Sequence, residues 1–415
     1  MGATKITGQN GSAEVESGTA SAERCYCPYN LPAELGIPFL ERPIQALVPI
    51  YLSSSIMPSS TLVSLLLGLC FWVSSTSPLL AQPTPPVYRN LVMEGGGIRG
   101  IAYGGALAEL EKQGVLSGLR RVGGTSAGAI QAALLAVSYS PQEIIAVVDH
   151  TPIQRLNDGR LMFLGGGTRL VKQYGWYRGD ELSRYLNHLV ARKTQRPNLT
   201  LGQLHALAQQ EPTRYRDLYT TGTNLTTQRT QVFSYETHPD LRVADAVRIS
   251  MSIPLYFRAV LLDAQGHIVR HPAKGQAVDV LVDGGLLANY PIWLFDDERY
   301  LSARTNPEAP TTDSIFNPET LGLRLDRPAQ LALDTLPNGR QQLAPYPVGD
   351  LKSYVGALYT VAIENLNPAQ PRDWERTISI STRGYNPKIR RLSETQKHDL
   401  LSSGHDGVQA FFRRE

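Results

Sequence analysis

The 415-residue chain predicts an α/β fold with a mainly parallel central sheet. Two observations carry that expectation. Short apolar strands alternate with helical segments along most of the chain, the pattern of a sheet covered by helices. Twice in succession, such a strand runs into a glycine-rich turn and then a helix, which is the βαβ step of a parallel sheet.

The first unit starts at Asn90, Leu91, Val92 and Met93 and ends at Glu94 and three glycines, as a buried strand would. A helix is predicted over 98–113 from the spacing of Ile98, Ile101, Ala102, Leu107 and Leu110, and Gly114 suits its C-terminal stop. A second strand over 119–122 leads through glycines into an Ala/Leu-rich helix over 129–137. Further helices are read over 180–191 and 201–209, and strands over 217–222, 230–235 and 278–282. The run 228–235 is expected to pair with the strand before it. Residues 157–176 read as a Gly-rich surface loop or a lid. Residues 299–348 read as loops around one strand at 321–325, with closing helices over 354–365 and 393–414.

Chemistry concentrates at the turns. Gly124, Thr125, Ser126, Ala127 and Gly128 form a G-x-S-x-G sequence between strand and helix, where small flanking residues relieve a cramped bend around an exposed serine. The preceding turn, Gly95, Gly96, Gly97, Ile98, Arg99 and Gly100, can aim backbone N–H groups at an oxyanion. A parallel sheet sets consecutive turns side by side, so a nucleophile and its oxyanion donors are expected to be neighbours. Far downstream an apolar strand delivers Asp283 into Gly284 and Gly285. On its own Asp-Gly-Gly is ordinary turn chemistry.

Gly95, Gly97 and Gly100 also match the dinucleotide fingerprint G-x-G-x-x-G. That fingerprint calls for an acidic residue about 20 positions on. Here the chain has Gly118, Leu119, Arg120 and Arg121, so an NADP-binding oxidoreductase is the alternative, with an arginine for the 2′-phosphate.

Taken together the three blocks resemble the patatin-like phospholipase family, from about Asn90 to the C-terminus. The segment from Val243 to Pro254, with Ser250 and Pro254 in a Ser-x-x-x-Pro pattern, is similar to the family's segment ahead of its aspartate strand. The resemblance implies a three-layer α/β/α fold related to α/β-hydrolases and a serine lipid acyl hydrolase needing no cofactor. It implies Ser126 as nucleophile, Asp283 as base in a dyad without histidine, and N–H groups of Gly96 and Gly97 as the oxyanion hole. Glu94 is a departure, because relatives commonly carry Asp or a small residue there. Arg99 reads as an anchor of the loop. The expected partner is an acyl lipid or membrane-surface substrate.

Other classes find less in the chain. A net charge of +3 makes no electrostatic case for nucleic acid. A Ser–Asp–His triad would need His398 or His405, and both stand in a polar stretch that reads as solvated. His150, His188, His205, His238, His267 and His271 show no metal-ligand spacing, so no metal is expected.

The N-terminal part differs in kind. Between Arg42 and Arg89 there is no charged residue, and 62–73 is strongly apolar, the length of a signal-peptide core rather than a bilayer span. Residues 57–82 are therefore expected to be a signal peptide, cleaved after Ala81, or a membrane anchor. Export to the cell envelope or beyond follows. Residues 1–56 read as a disordered leader or a mis-assigned extension upstream of Met57, and 83–88 as a Pro-rich linker. The catalytic domain is assigned to 89–300, with 301–415 completing it. Cys25, Cys27 and Cys70 all precede Gln82, so the remaining chain needs no disulfide.

Overall fold

The computed structural model describes residues 87–151, 156–159, 162–302, 315–365, 370–387 and 391–414. The expected leader, the signal segment and most of the linker lie outside the described residues. The strands are β1 (Asn90–Met93), β2 (Arg121–Gly124), β3 (Gly175–Tyr177), β4 (Asp217–Asn224), β5 (Arg229–Phe233), β6 (Leu255–Phe257), β7 (Val260–Leu262), β8 (Asp279–Asp283), β9 (Thr320–Asp326) and β10 (Thr377–Ser381). The α-helices are α1 (Ala102–Lys112), α2 (Val115–Gly118), α3 (Ala127–Ala136), α4 (Pro141–His150), α5 (Met162–Gln173) and α6 (Asp180–Thr194). They continue as α7 (Leu201–Gln210), α8 (Val243–Ser250), α9 (Gly285–Ala288), α10 (Pro328–Asp334), α11 (Leu351–Asn365) and α12 (Glu394–Phe412).

One sheet organises the molecule, in the order β10-β9-β1-β2-β4-β8-β7, with β5 also paired to β4. From β10 to β4 every pairing is parallel. β5 and β8 both pair antiparallel with β4, and β7 pairs antiparallel with β8. The sheet is thus mainly parallel with an antiparallel flank, and β5 pairs with its predecessor as its sequence suggests.

Parallel strands are buried on both faces, which explains their nearly unbroken apolar runs. Leu91 and Met93 enter the larger core cluster with Leu321, Leu323 and Leu325. Val92, pointing the other way, joins Tyr219, Tyr290, Ile292, Phe295 and Tyr300. Around β1 that second face is therefore covered by aromatic residues on short 3₁₀ turns at Ile292–Phe295 and Glu298–Tyr300. α3 packs on β1, β2 and β4, while α12 packs on α1 and β10. Capping boxes start α4 (Ser140, Glu143), α7 (Thr200, Gln203) and α12 (Ser393, Gln396), each cap worth about 1 kcal/mol.

Two expectations need correction. The segment read as a loop or lid over 157–176 contains α5 and β3. Its glycines are poor helix formers, but Arg169 ties the helix down by donating to the carbonyls of Gly159 and Trp176. The stretch 299–348 carries, besides β9, the helix α10, started by Pro328 at its first turn.

Candidate active site

Met93 and Gly124 are register partners at the C-terminal ends of β1 and β2, so the turns leaving them emerge together. Ser126 follows with φ 52° and ψ −117°, a conformation in which a non-glycine residue is strained. Crowding holds it there. A Cβ at Gly128 would overlap the carbonyls of Met93 and Glu94, and one at Gly124 would overlap the backbone of Gly128. Thr125 anchors the turn by donating to Ala288 O (2.7 Å) and sharing a hydrogen bond with the Thr221 hydroxyl (2.6 Å). Ser126 stands at the N-terminus of α3, which starts at Ala127. The helix dipole there favours negative charge on the serine oxygen.

The Ser126 hydroxyl donates to Asp283 Oδ2 at 2.7 Å, across 157 positions of sequence. No histidine stands between them. Asp283 Oδ1 accepts the N–H of Gly285 at 2.8 Å. Burial pushes the Asp283 carboxyl up to about 6, opposed by the hydrogen bonds from Gly285 and Ser126. Gly284 is obligatory in this turn, since a Cβ would overlap Thr221. β8 runs antiparallel to β4, and so against β2. Its end reaches Ser126 because β8 pairs only with the far part of β4, Asp283 opposite Gly222, while Gly124 lies opposite Thr220.

Both residues are braced at their backbone N–H groups from the end of α8. Ser250 Oγ accepts the N–H of Ser126 (2.9 Å), and the carbonyl of Ser252 accepts the N–H of Asp283 (2.9 Å). Met251 Sδ lies 3.5 Å from Ser126 Oγ. Beneath them the buried Arg248 donates to the Ser252 hydroxyl and to the carbonyls of Gly179, Arg178 and Arg258. Sequence reading placed this segment in the pattern without seeing that it holds both groups. Polar residues on an otherwise apolar helix end were the available signal.

The glycine turn divides in function. Gly95 is corrected from donor to anchor, because its N–H is taken by Asn289 O (3.0 Å). The N–H groups of Gly96 and Gly97 have no acceptor among the described residues, which leaves them available to an oxyanion. Gly97 has φ +56°, and a Cβ there would overlap the Pro387 carbonyl. Only glycine fits. Arg99 folds back on the loop, its Nε donating to Gly96 O at 3.2 Å. Ile98 and Gly100 line a cavity beside the serine.

That cavity has about 920 Å³ of free space, its open mouth included. It runs from Gly97, Ala127 and Met251 to Val148, Leu186 and Phe257, and among the described residues its lining carries no charged side chain. The histidines proposed as solvated part ways. His398 is exposed, but His405 Nε2 lies 3.1 Å from Glu109 Oε2. The buried Glu109 on α1 attracts it once α12 has docked.

A strained serine at a helix N-terminus, bonded to a buried carboxylate beside free backbone N–H groups, is the constellation of a serine ester hydrolase on an α/β sheet. Residues 91–296 match the model of the patatin-like phospholipase family. An uncharacterized Bacillus subtilis protein, YqhO, is 36% identical over 220 residues, covering 51% of this chain and 68% of its own length. A protein of Invertebrate iridescent virus 6 named "Probable lipid hydrolase 463L" is 26% identical over 209 residues, 50% of this chain and 63% of that protein. Among solved structures, VipD from Legionella pneumophila aligns with TM-score 0.47 and 17% identity over 79% of this chain and 67% of VipD. The chain thus spans about two thirds of the length of these curated relatives. It belongs to the patatin-like phospholipase family, and with it to the ester-hydrolysing enzymes. The dinucleotide reading of the glycine turn finds no support in these comparisons.

Proposed function

We propose that this protein hydrolyses carboxylic esters of acyl lipids through a Ser126–Asp283 dyad. The observation that carries the reading is the 2.7 Å hydrogen bond from Ser126 Oγ to Asp283 Oδ2, beside a cavity that the described residues line mainly with apolar side chains. Asp283 takes the hydroxyl proton as Oγ attacks the ester carbonyl carbon. The oxyanion that forms is held by the N–H groups of Gly96 and Gly97. Collapse breaks the C–O bond and the proton passes from Asp283 to the leaving alcohol, leaving an acyl-serine. Water then attacks the acyl carbon, Asp283 takes its proton, and the acid departs with Ser126 restored. An ordinary carboxylate is a poor base for a hydroxyl. A carboxyl raised to about 6 by burial is a better one and is still ionised at neutral pH.

The apolar lining of the cavity, with Ile98, Ile130, Val148, Leu182, Leu186 and Phe257, supports an acyl chain as the group recognised. The outer face of α11 supports presentation of the substrate at a lipid surface. Leu351, Tyr354, Val355, Leu358 and Val361, at helical spacing, are each more than half exposed. On the inner side Ile363 packs at Gly285 in the aspartate turn. We also propose export, from the apolar run 62–73 and the Ala81–Gln82 junction.

The test is covalent labelling. A fluorophosphonate probe is expected to modify Ser126, and Ser126→Ala to lose both labelling and ester hydrolysis by several orders of magnitude. An alanine variant keeping a tenth of the activity would overturn the assignment.

A further inference from the structure

Glu94 closes β1 at the floor of the site, buried, and takes no part in the steps above. Its Oε2 accepts the N–H of Leu325 at 2.6 Å, and its Oε1 accepts from Asn289 Nδ2 at 2.9 Å. Asn289 in turn binds the glycine loop twice, its carbonyl accepting the N–H of Gly95 and its Nδ2 donating to Gly95 O at 3.3 Å. One carboxyl therefore joins three pieces of chain far apart in sequence: the glycine loop, the end of β9, and the helix that follows Asp283. Leu325 also buttresses the loop directly, its side chain filling the space a Cβ at Gly96 would need.

We propose that Glu94, as a carboxylate, is the positioning residue of the oxyanion loop, setting the Gly96 and Gly97 N–H groups against the Ser126–Asp283 dyad. The inference rests on the function proposed above. Its chemistry is that of acceptor counting. Each oxygen accepts an N–H, so a proton on either one removes the charge that strengthens both bonds and weakens the brace.

The charges around Glu94 decide when that proton arrives. From β9 come Arg324 and Asp326, and from the 3₁₀ turn after the glycines comes Arg99. Tyr103 of α1, Tyr290 beyond α9 and Tyr359 of α11 complete the surroundings. Arg324 lies 3.2 Å from Asp326, so one cation serves two buried acids. Burial pushes Glu94 up to about 7, with Arg324 opposing and Asp326 adding. Loss of the proton then restores the brace near neutral pH.

The experiment is the pH dependence of Ser126 phosphonylation and of kcat and KM on a soluble ester. Wild type is expected to need two deprotonations, near 6 and near 7, its labelling rate falling about a hundredfold per unit below both. Glu94→Gln, which keeps the shape but sets an amide N–H against one donor, is expected to lower kcat at pH 8 at least tenfold with KM within about twofold. Its acid limb should fall only tenfold per unit, centred near 6. A two-proton limb retained in Glu94→Gln, or wild-type kcat at pH 8, overturns the proposal. If that variant does not fold, the wild-type limb decides, a one-proton slope being fatal. Labelling that persists in Ser126→Ala would instead defeat the dyad itself.

Discussion

At Asp283 burial raises the carboxyl to about 6, and this has a sign for stability as well as for catalysis. A group raised in the folded state favours folding when protonated, below its unfolded value near 3.9. That contribution is lost as the pH rises through about 6. Above that pH the ionised aspartate destabilises the fold by up to about 3 kcal/mol. Asp283→Asn can still accept from Gly285, and its amide can donate to Ser126. It is expected to be inactive yet to unfold at a higher temperature than wild type at pH 8, with the difference vanishing below pH 4. Thermal unfolding followed at both pH values checks it; equal midpoints at pH 8 would argue against a strained, ionised aspartate. Ser126 belongs to the same pattern, since its φ of 52° is held by neighbours rather than by its own preference.

Among the elements, α11 is the one whose composition and setting disagree most. Its fifteen residues contain two charged side chains, Lys352 and Glu364, and Glu364 is paired with Arg327. An apolar stripe would normally turn inward, yet here Leu351, Tyr354, Val355, Leu358 and Val361 are more than half exposed, next to the aspartate turn. Val355→Asp combined with Leu358→Asp is expected to reduce hydrolysis of phospholipid vesicles at least tenfold. Hydrolysis of a short soluble ester should stay within about twofold, because neither residue reaches the dyad. Equal losses on both substrates would show that the helix serves the fold and not the lipid surface. α8 contrasts with it, being buried over its whole length and acting only through the groups it braces.

For the molecule as a whole, the site exists where a parallel sheet meets an antiparallel return. β1 and β2 deliver the glycine turn and Ser126 from one direction, and β8 brings Asp283 from the other. Export bears on the complete chain. Protein recovered from its native host is expected to begin near Gln82, by N-terminal sequencing. A chain that still carries residues 1–56 would refute the proposal.

Local chemistry was enough to read much of this protein. An apolar strand followed by glycines and a helical repeat has one comfortable arrangement, so β1, β2, α1 and α3 were legible to within a few residues. Ser126 and the glycine turn stood out by their motifs, whereas Asp283, ordinary turn chemistry on its own, was picked out only by the resemblance of the three blocks together. The direction of β8 was not, since strand polarity depends on a partner and leaves no mark on an apolar run. Nor was the division of labour in the glycine turn: Gly95 becomes an anchor only when Asn289, 194 positions away, presents its carbonyl. Glu94 looked like a departure beside the motif. Its two donors, Leu325 and Asn289, arrive only with the folded sheet, and a hydrogen bond between distant segments is a property of their meeting, not of either sequence.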